Sequence, residues 1–314
     1  MKTAVPGFEP SYIQTHRQSS LSAKAAQAAA ALTQCRLCPR RCGVDRISGE
    51  TSFCRTGVQA LVAGCDAHFG EEAPLVGRHG SGTIFFTYCN LNCSFCQNFD
   101  ISHTGYGQVV SDRQLADMML SLQHAGCHNI NFVTPSHVIP QILAALVLAV
   151  PDGLKVPLVY NSGGYDRVET LKLLEGVIDI YMPDFKFWDP SVAAQTCDAP
   201  DYPEQARRSL IEMHRQVGDL QIGPDGLARR GVLVRHLVLP EDLSGTEAVM
   251  RFIAREVSPH TYVNIMSQYR PCGRAADIPA LARSASAEEC RAARQAAQRQ
   301  GITRLDRPRR MSGW

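Results

Sequence analysis

From residue 77 onward, short apolar runs alternate with longer amphipathic segments, and this alternation constrains the fold more than any other feature of the chain. Strands that alternate with helices predict βαβ units and therefore a parallel sheet. Six units are too few for a closed eight-stranded barrel, so the pattern predicts a partial (β/α)6 barrel, an α/β fold in which ligands bind at the carboxyl ends of the strands. The six predicted strands are Thr83–Thr87, Asn129–Thr134, Val156–Asn161, Val177–Met182, Val232–Leu239 and Tyr262–Met266.

Helical periodicity fills the segments between these strands. Ser111, Ser244 and Ser286 each have a Gln or Glu three residues on, which predicts a capping box at the start of a helix. Further helices are predicted over Ala23–Leu32, Pro140–Val150, Asp166–Leu174 and Glu204–Val217.

The chain divides into three parts on the same pattern. Residues 1–76 lack the alternation and are interpreted as a Cys-rich N-terminal extension, and residues 77–285 form the core. Residues 286–314 form a basic helix and tail. A basic tail can bind nucleic acid, but a solvated helix face explains the charge as well, and no nucleic-acid partner is predicted.

Apolar content argues against a membrane protein. The longest apolar run, Ile142–Val150, is far shorter than the roughly 18 residues of a membrane span, and no apolar signal core opens the chain. The sequence therefore predicts a cytoplasmic protein. The 12 cysteines are clustered, and in a reducing compartment such clusters indicate metal binding or redox chemistry rather than disulfides.

One cysteine cluster follows the first predicted strand directly. Cys89, Cys93 and Cys96 have the spacing C-x3-C-x2-C, so three thiolates on one loop can converge on one metal site. A structural zinc site uses four ligands, and a [4Fe–4S] cluster also has four corners. Cys127, the nearest later cysteine, has no partner spacing, so one corner stays open for substrate chemistry. A structural metal knuckle is the alternative.

This spacing, with the aromatic Phe95 before the last cysteine and a strand before the first, resembles the signature of the radical S-adenosylmethionine (SAM) superfamily. The resemblance implies a [4Fe–4S] cluster on the three thiolates, with SAM chelating the fourth iron through its amino and carboxylate groups. It also implies reductive cleavage of SAM to methionine and a 5′-deoxyadenosyl radical, which abstracts a hydrogen atom. Phe95 would pack near the adenine, and an electron donor such as flavodoxin or ferredoxin would be a partner.

Further segments are similar to the pyruvate formate-lyase activating enzymes, and with the cysteines they span about residues 35–271. They cover residues 68–72, 80–86, 96–98, 181–186 and 264–271. By this likeness the substrate is a glycyl residue on a partner protein. Modification of another peptide, a metabolite or RNA stays open, and an iron–sulfur electron carrier is the rival that is not an enzyme.

SAM carries a carboxylate, so its site needs a cation. Asp184 and Lys186 follow the fourth predicted strand, and alternation places both on one side of the chain. By resemblance Lys186 would pair with the SAM carboxylate, and Asp184 would contribute to a polar or cation-binding site. A surface ion pair is the alternative.

Two other residues are SAM-binding candidates. Asn161 precedes a Gly-Gly pair after the third strand, where the backbone can approach a ligand, although a plain turn would need the same glycines. Arg235 interrupts an apolar strand, and a charge of this kind is rarely buried without a partner. It resembles an arginine that reaches SAM in the activating enzymes.

The turn after the second strand departs from the family. Thr134-Pro-Ser136-His137 stands where relatives often have a Gly-Gly-Glu motif for the SAM amino group. Thr134 and Ser136 are candidate substitutes. His137 is a candidate for substrate or proton handling, with a half-exposed structural histidine as the alternative.

The other cysteine cluster lies in the N-terminal extension. Cys35, Cys38, Cys42 and Cys54 have the spacing C-x2-C-x3-C-x11-C, which suits tetrahedral zinc or a second [4Fe–4S] cluster. Activating-enzyme relatives with extra clusters usually carry them after the radical SAM motif, whereas this group precedes it. We expect one metal centre at these four cysteines. A second [4Fe–4S] cluster is the favoured centre, and a zinc ion is the alternative.

Overall fold

The computed structural model describes residues 8–306, so residues 1–7 of the extension and residues 307–314 of the basic tail lie outside it. The strands are β1 (Ala60–His68), β2 (Ser81–Phe86), β3 (Gln108–Val110), β4 (Ile130–Val133), β5 (Leu158–Ser162), β6 (Ile180–Pro183), β7 (Gln221–Ile222), β8 (Ala228–Leu237) and β9 (Tyr262–Met266). The helices are α1 (Ser11–Arg17), α2 (Ser20–Ala30), α3 (Ala73–Val76), α4 (Asp112–His124), α5 (Ile139–Ala149), α6 (Val168–Leu173), α7 (Pro190–Cys197), α8 (Tyr202–Val217), α9 (Thr246–Phe252) and α10 (Ala287–Arg299). Within residues 8–306 no helix is long and apolar enough to cross a membrane.

Parallel strands form the centre of the sheet. β2, β4, β5, β6, β8 and β9 are parallel neighbours in that order, and each coincides with one of the six predicted strands. Strands β5 and β6 are buried along their whole length, as expected for strands that helices cover on both faces. The predicted α/β fold is therefore confirmed.

The N-terminal extension contributes a strand that the sequence does not predict. β1 pairs antiparallel with β2 from Val62↔Phe86 to His68↔Ser81, and β3 pairs antiparallel with β1. The second half of β1 is exposed or half-buried, so its sequence lacks the apolar alternation of a strand. The extension also packs on the core through α1, where the Tyr12 hydroxyl donates to the Val156 carbonyl at 2.9 Å.

Two of the three predicted capping boxes are confirmed, at Ser111 and Ser286. The box at Ser244 is wrong, because α9 begins after Gly245 and has no side-chain cap. The Ser244 hydroxyl instead donates to the Leu237 carbonyl at 2.6 Å and accepts from the Leu239 amide at 3.1 Å. This serine therefore closes the turn that follows β8.

Candidate active site

The carboxyl ends of the six parallel strands surround a cavity of about 430 Å³. Each strand end contributes to the wall. The contributors are Phe85 from β2, Thr134 after β4, Asn161 from β5, Asp184 after β6, Arg235 from β8 and Met266 from β9. This is the edge of the sheet where parallel α/β folds bind their ligands.

The loop after β2 brings all three of its cysteines to this cavity. Cys89, Cys93 and Cys96 line the wall together, and the Leu91 amide donates to the Cys89 sulfur at 3.3 Å. Burial raises the pKa of the Cys89 thiol to about 12. The thiol is therefore neutral until a metal displaces its proton.

Three thiols on one wall of one cavity are the donor set that iron–sulfur clusters use, so these residues fit such a cluster by chemistry and by placement. To hold a single metal ion, three or more ligand side chains would have to lie closer together. Across residues 8–306, no three His, Cys, Asp or Glu side chains are grouped so that they could hold one ion.

A fourth thiol lies beside this loop, which the sequence does not indicate. Cys197, at the end of α7, is buried, and its hydrogen bond with Cys93, together with burial, raises the pKa of the Cys93 thiol. The loop is tied to the same helix through the Ser94 amide, which donates to the Thr196 carbonyl at 2.8 Å. The position of Cys197 in the sequence, about 100 residues from the loop, gives no spacing signal for this contact.

Asp184, Lys186 and Arg235 form a buried charged trio in the same cavity. Asp184 Oδ1 accepts from Arg235 Nε at 2.7 Å, and Asp184 Oδ2 pairs with the Lys186 ammonium. Burial alone would raise the pKa of Asp184, but Arg235 and Lys186 outweigh it and hold this pKa below its usual value. Burial likewise opposes the charge on Lys186, but Asp184 outweighs it and raises the Lys186 pKa.

The trio confirms that Asp184 and Lys186 lie on one side of the chain, and their pair lies in the cavity rather than on the surface. The trio supplies two cations and one carboxylate, and Glu71 adds a second carboxylate near Arg235, so the cavity offers charges of both signs to a ligand.

Two residues at the end of β1 also line the cavity. His68 is the last residue of this strand, and Glu71 follows three residues later. His68 Nδ1 and Glu71 Oε1 are 2.8 Å apart. Burial would raise the pKa of Glu71, but His68 and Arg235 outweigh it and lower this pKa, so the cavity holds a second carboxylate. No role in the cavity is predicted for this pair from the sequence, because β1 itself is not predicted.

Phe95 and Asn161 are placed where a ligand can touch them. Both line the cavity, and both are buried. The Phe95 ring packs edge-to-face on Phe187 and Tyr269, with centroids 5.9 and 6.0 Å apart. This packing fixes the ring of Phe95 on the cavity wall.

The turn after β4 contributes only its first residue. Thr134 lines the cavity, whereas the Ser136 hydroxyl donates to Asp166 at 2.6 Å and is not part of the cavity wall. His137 is completely buried, with Nε2 2.9 Å from the Thr87 carbonyl oxygen, and burial lowers its pKa to about 4. The structure therefore does not place Ser136 or His137 on the cavity wall, and the half-exposed alternative for His137 is wrong, because this residue is completely buried.

The N-terminal cysteines share one loop, residues 35–54, called the N-terminal cysteine loop. Cys35, Cys38 and Cys54 are buried and Cys42 is half-buried. The Cys35 amide donates to the Val44 carbonyl at 2.9 Å, which folds the loop back on itself.

The N-terminal cysteine loop also contacts the three-cysteine loop. Arg40 donates from Nε to the Asn90 carbonyl at 3.1 Å and from Nη2 to the Cys197 carbonyl at 2.8 Å. The guanidinium also stacks on the Phe53 ring at 3.7 Å. Arg40 thus brings the N-terminal cysteine loop into direct contact with the three-cysteine loop.

Comparison with known proteins gives one informative similarity. No family model matches the chain. The uncharacterized protein MJ0674 of Methanocaldococcus jannaschii is 31% identical over 275 residues, which cover 85% of this chain and 75% of the relative. The similarity covers most of both chains, and the chain belongs to the same protein family as MJ0674.

Proposed function

We propose that this chain is a radical SAM enzyme with a partial (β/α)6 barrel. Cys89, Cys93 and Cys96 would hold a [4Fe–4S] cluster, and SAM would bind in the adjoining cavity. A cluster held there would supply, once reduced by an external donor, the one electron needed to cleave SAM into methionine and a 5′-deoxyadenosyl radical, which would abstract a hydrogen atom from a substrate.

The observation that carries the proposal is that the three thiols and the charged trio line one cavity at the strand ends. An electron carrier needs buried thiols but has no use for two cations and a carboxylate facing an open space of about 430 Å³. SAM needs charges of both signs in its site, because its carboxylate binds to a cation and its ammonium donates to an acceptor such as a carboxylate.

The chain's own residues would bind and orient this ligand. The Lys186 ammonium would donate to the SAM carboxylate, with Arg235 adding positive charge from β8. Asp184 holds both cations in position while it stays ionised. Phe95 offers an immobile aromatic face for the adenine, and Asn161 offers an amide at the end of β5.

The proposed hydrogen donor is a glycyl residue on a partner protein, and flavodoxin or ferredoxin is the proposed electron donor. Both rest on the resemblance to the activating enzymes. Another peptide, a metabolite or RNA is an alternative substrate, which genomic neighbourhood and substrate screening would distinguish.

Anaerobic reconstitution with iron and sulfide, followed by SAM and dithionite, tests the proposal. The expected product is 5′-deoxyadenosine, and Cys89→Ala, Cys93→Ala or Cys96→Ala should each abolish it, because a cluster missing one of three protein ligands is labile. Cys290→Ala is a matched control, since Cys290 is half-buried on α10 outside the cavity wall. Full product from any loop variant would refute the proposal.

An electron carrier is the second candidate, and Cys197 is the observation that favours it. A fourth thiol beside Cys93 could close the coordination that SAM requires to be open. Cys197→Ala separates the two candidates: a radical SAM enzyme should keep its cluster and its product, whereas a carrier with four cysteine ligands should lose the cluster and make no 5′-deoxyadenosine.

A further inference from the structure

Arg46 is a buried cation in the N-terminal cysteine loop. Its residue is only 2% exposed. Nη1 donates to the His137 carbonyl at 2.8 Å, Nη2 donates to the Cys54 sulfur at 3.5 Å, and Nε has no hydrogen-bond partner. Within residues 8–306 no carboxylate forms an ion pair with this guanidinium.

A buried guanidinium without an anion is strongly unfavourable, so its surroundings should supply negative charge. The groups around Arg46 are a carbonyl and cysteine thiols, and neutral thiols supply none. Four thiolates around a divalent zinc ion, or around a [4Fe–4S] cluster in its oxidised form, leave two negative charges. A metal centre would therefore turn the surroundings of Arg46 from unfavourable to favourable.

We propose that Cys35, Cys38, Cys42 and Cys54 hold a thiolate metal centre and that Arg46 is its counter-ion. Two independent observations carry this inference: the spacing of the four cysteines, and a guanidinium that is buried, hydrogen-bonded to one of their sulfurs and otherwise without an anion. Iron in a cluster is the favoured metal, because no three of the described Cys, His, Asp or Glu side chains are grouped closely enough to hold a single ion; zinc has the same thiolate chemistry but would require the four sulfurs to move closer together.

The inference is independent of SAM chemistry, and the first experiment keeps it so. The full chain with Cys89, Cys93 and Cys96 all changed to Ser is purified without oxygen, and iron, sulfide and zinc are measured per chain. About four irons with sulfide, or one zinc, support the centre and identify its metal. Absence of both metals overturns the inference.

Single changes in this background assign the metal to the loop. Cys38→Ser should remove it, because Cys38 is a proposed ligand. Cys65→Ser should retain it, because Cys65 lies on β1 outside the loop. Metal retained by Cys38→Ser, or lost only with Cys65→Ser, overturns the assignment.

The counter-ion role needs its own comparison. Arg46→Gln keeps a hydrogen-bond donor but removes the charge, so its metal should be lost to a chelator about 10- to 100-fold more readily than from the unchanged loop. Arg46→Lys keeps the charge, so the rate at which it loses metal to the chelator should be closer to that of the unchanged loop than the rate for Arg46→Gln is. Equal retention by all three, with folding checked by circular dichroism, overturns the counter-ion role. If Arg46→Gln does not fold, Arg46→Lys decides: retention within about threefold supports the role, and loss overturns it.

Discussion

Arg235 Nε lies 2.7 Å from Asp184 Oδ1, so a cation from β8 and a carboxylate after β6 neutralise each other inside the cavity. The two residues also face each other in a backbone bridge that extends the pairing of these strands. Asp184 therefore has two roles. Its backbone links β6 to β8, and its carboxylate pairs with two cations that would otherwise repel each other.

Asp184→Ala should destabilise the fold by about 3–5 kcal/mol, because it removes the carboxylate that forms ion pairs with both buried cations, Lys186 and Arg235. Urea unfolding measures the change. Asp117→Ala is the control, since its ion pair with Arg113 on α4 is exposed and should contribute less than about 1 kcal/mol. Equal losses from the two variants would show that burial of the trio adds nothing to its stability.

Lys186→Ala should weaken SAM binding by roughly ten- to a hundred-fold while the open-site cluster still assembles, because a charge-assisted contact contributes about 1.5–3 kcal/mol. Equilibrium binding to the reconstituted protein is the measurement, with iron content as the check on the cluster. Lys155→Ala should bind SAM normally, because Lys155 is exposed and precedes β5 at the opposite edge of the sheet. If SAM affinity is unchanged in Lys186→Ala, the carboxylate contact belongs to another residue.

Gly164→Ala should disrupt the cavity, whereas Gly163→Ala should be tolerated. Gly164 has φ +77°, and a Cβ there would lie 2.0 Å from the Asp184 carbonyl oxygen, which is backbone and cannot turn away. A Cβ at Gly163 meets only ordinary contacts, the nearest at 3.5 Å from Leu91. The free energy of unfolding should therefore fall by more than about 1 kcal/mol in Gly164→Ala alone; similar values for both variants would contradict this geometry.

Arg40→Ala should loosen the three-cysteine loop, because Arg40 donates to carbonyls on this loop and at the end of α7. Hydrogen exchange of the amides of residues 89–96 is expected to accelerate about tenfold, which corresponds to about 1.4 kcal/mol of lost protection. Arg36→Ala changes an exposed arginine in the same loop region and should leave this exchange unchanged. Unaltered exchange in Arg40→Ala would mean that the two cysteine groups are neighbours without mechanical coupling.

His236 should make the fold less stable in mild acid. Its two ring nitrogens contact the Phe185 carbonyl at 2.7 Å and the Thr246 hydroxyl at 3.0 Å, and burial lowers its pKa to about 4. Between pH of about 4 and about 6.5, the histidine of the unfolded chain binds a proton, whereas His236 in the folded chain stays neutral. The contribution of neutral His236 to the free energy of unfolding is therefore complete above pH of about 6.5 and declines as the pH falls toward about 4.

Urea unfolding of the unchanged chain and of His236→Gln at pH 7.5 and pH 5 isolates this group from other titrating residues. On lowering the pH, the unchanged chain should lose roughly 2 kcal/mol more than the variant. Parallel losses would show that His236 titrates normally in the folded protein.

The six parallel strands can be predicted from the sequence because their apolar runs are local, and two of them, β5 and β6, are buried along their whole length. The same pattern places Asp184 directly after a strand and Arg235 inside one, and the structure brings both to the same cavity. β1 cannot be predicted in this way, because it is specified by pairing with β2 while half of it faces solvent. Glu71 is missed as a cavity residue for the same reason.

Side-chain roles that depend on tertiary contacts are the other failures. Ser244 has the sequence of a capping box, but the turn after β8 uses its hydroxyl. Ser136 follows β4, where a ligand-binding residue would be expected, but its hydroxyl donates a hydrogen bond to the Asp166 carboxylate. The contacts of Arg40 and Arg46 join residues about 50 to 160 positions apart, which no local pattern encodes.

The antiparallel pairing of β1 has a consequence for what can reach the cavity. β1 covers one edge of β2 from Phe86 to Ser81, and β4 takes the other edge. β2 therefore has no free edge on which β9 could form a ladder, so backbone hydrogen bonds cannot join the first and last of the six parallel strands. Side chains join the seam between these strands instead, since the Asn264 amide of β9 donates to the Glu72 carboxylate at 2.8 Å, so passage to the cavity at this point would have to break side-chain contacts rather than a strand ladder.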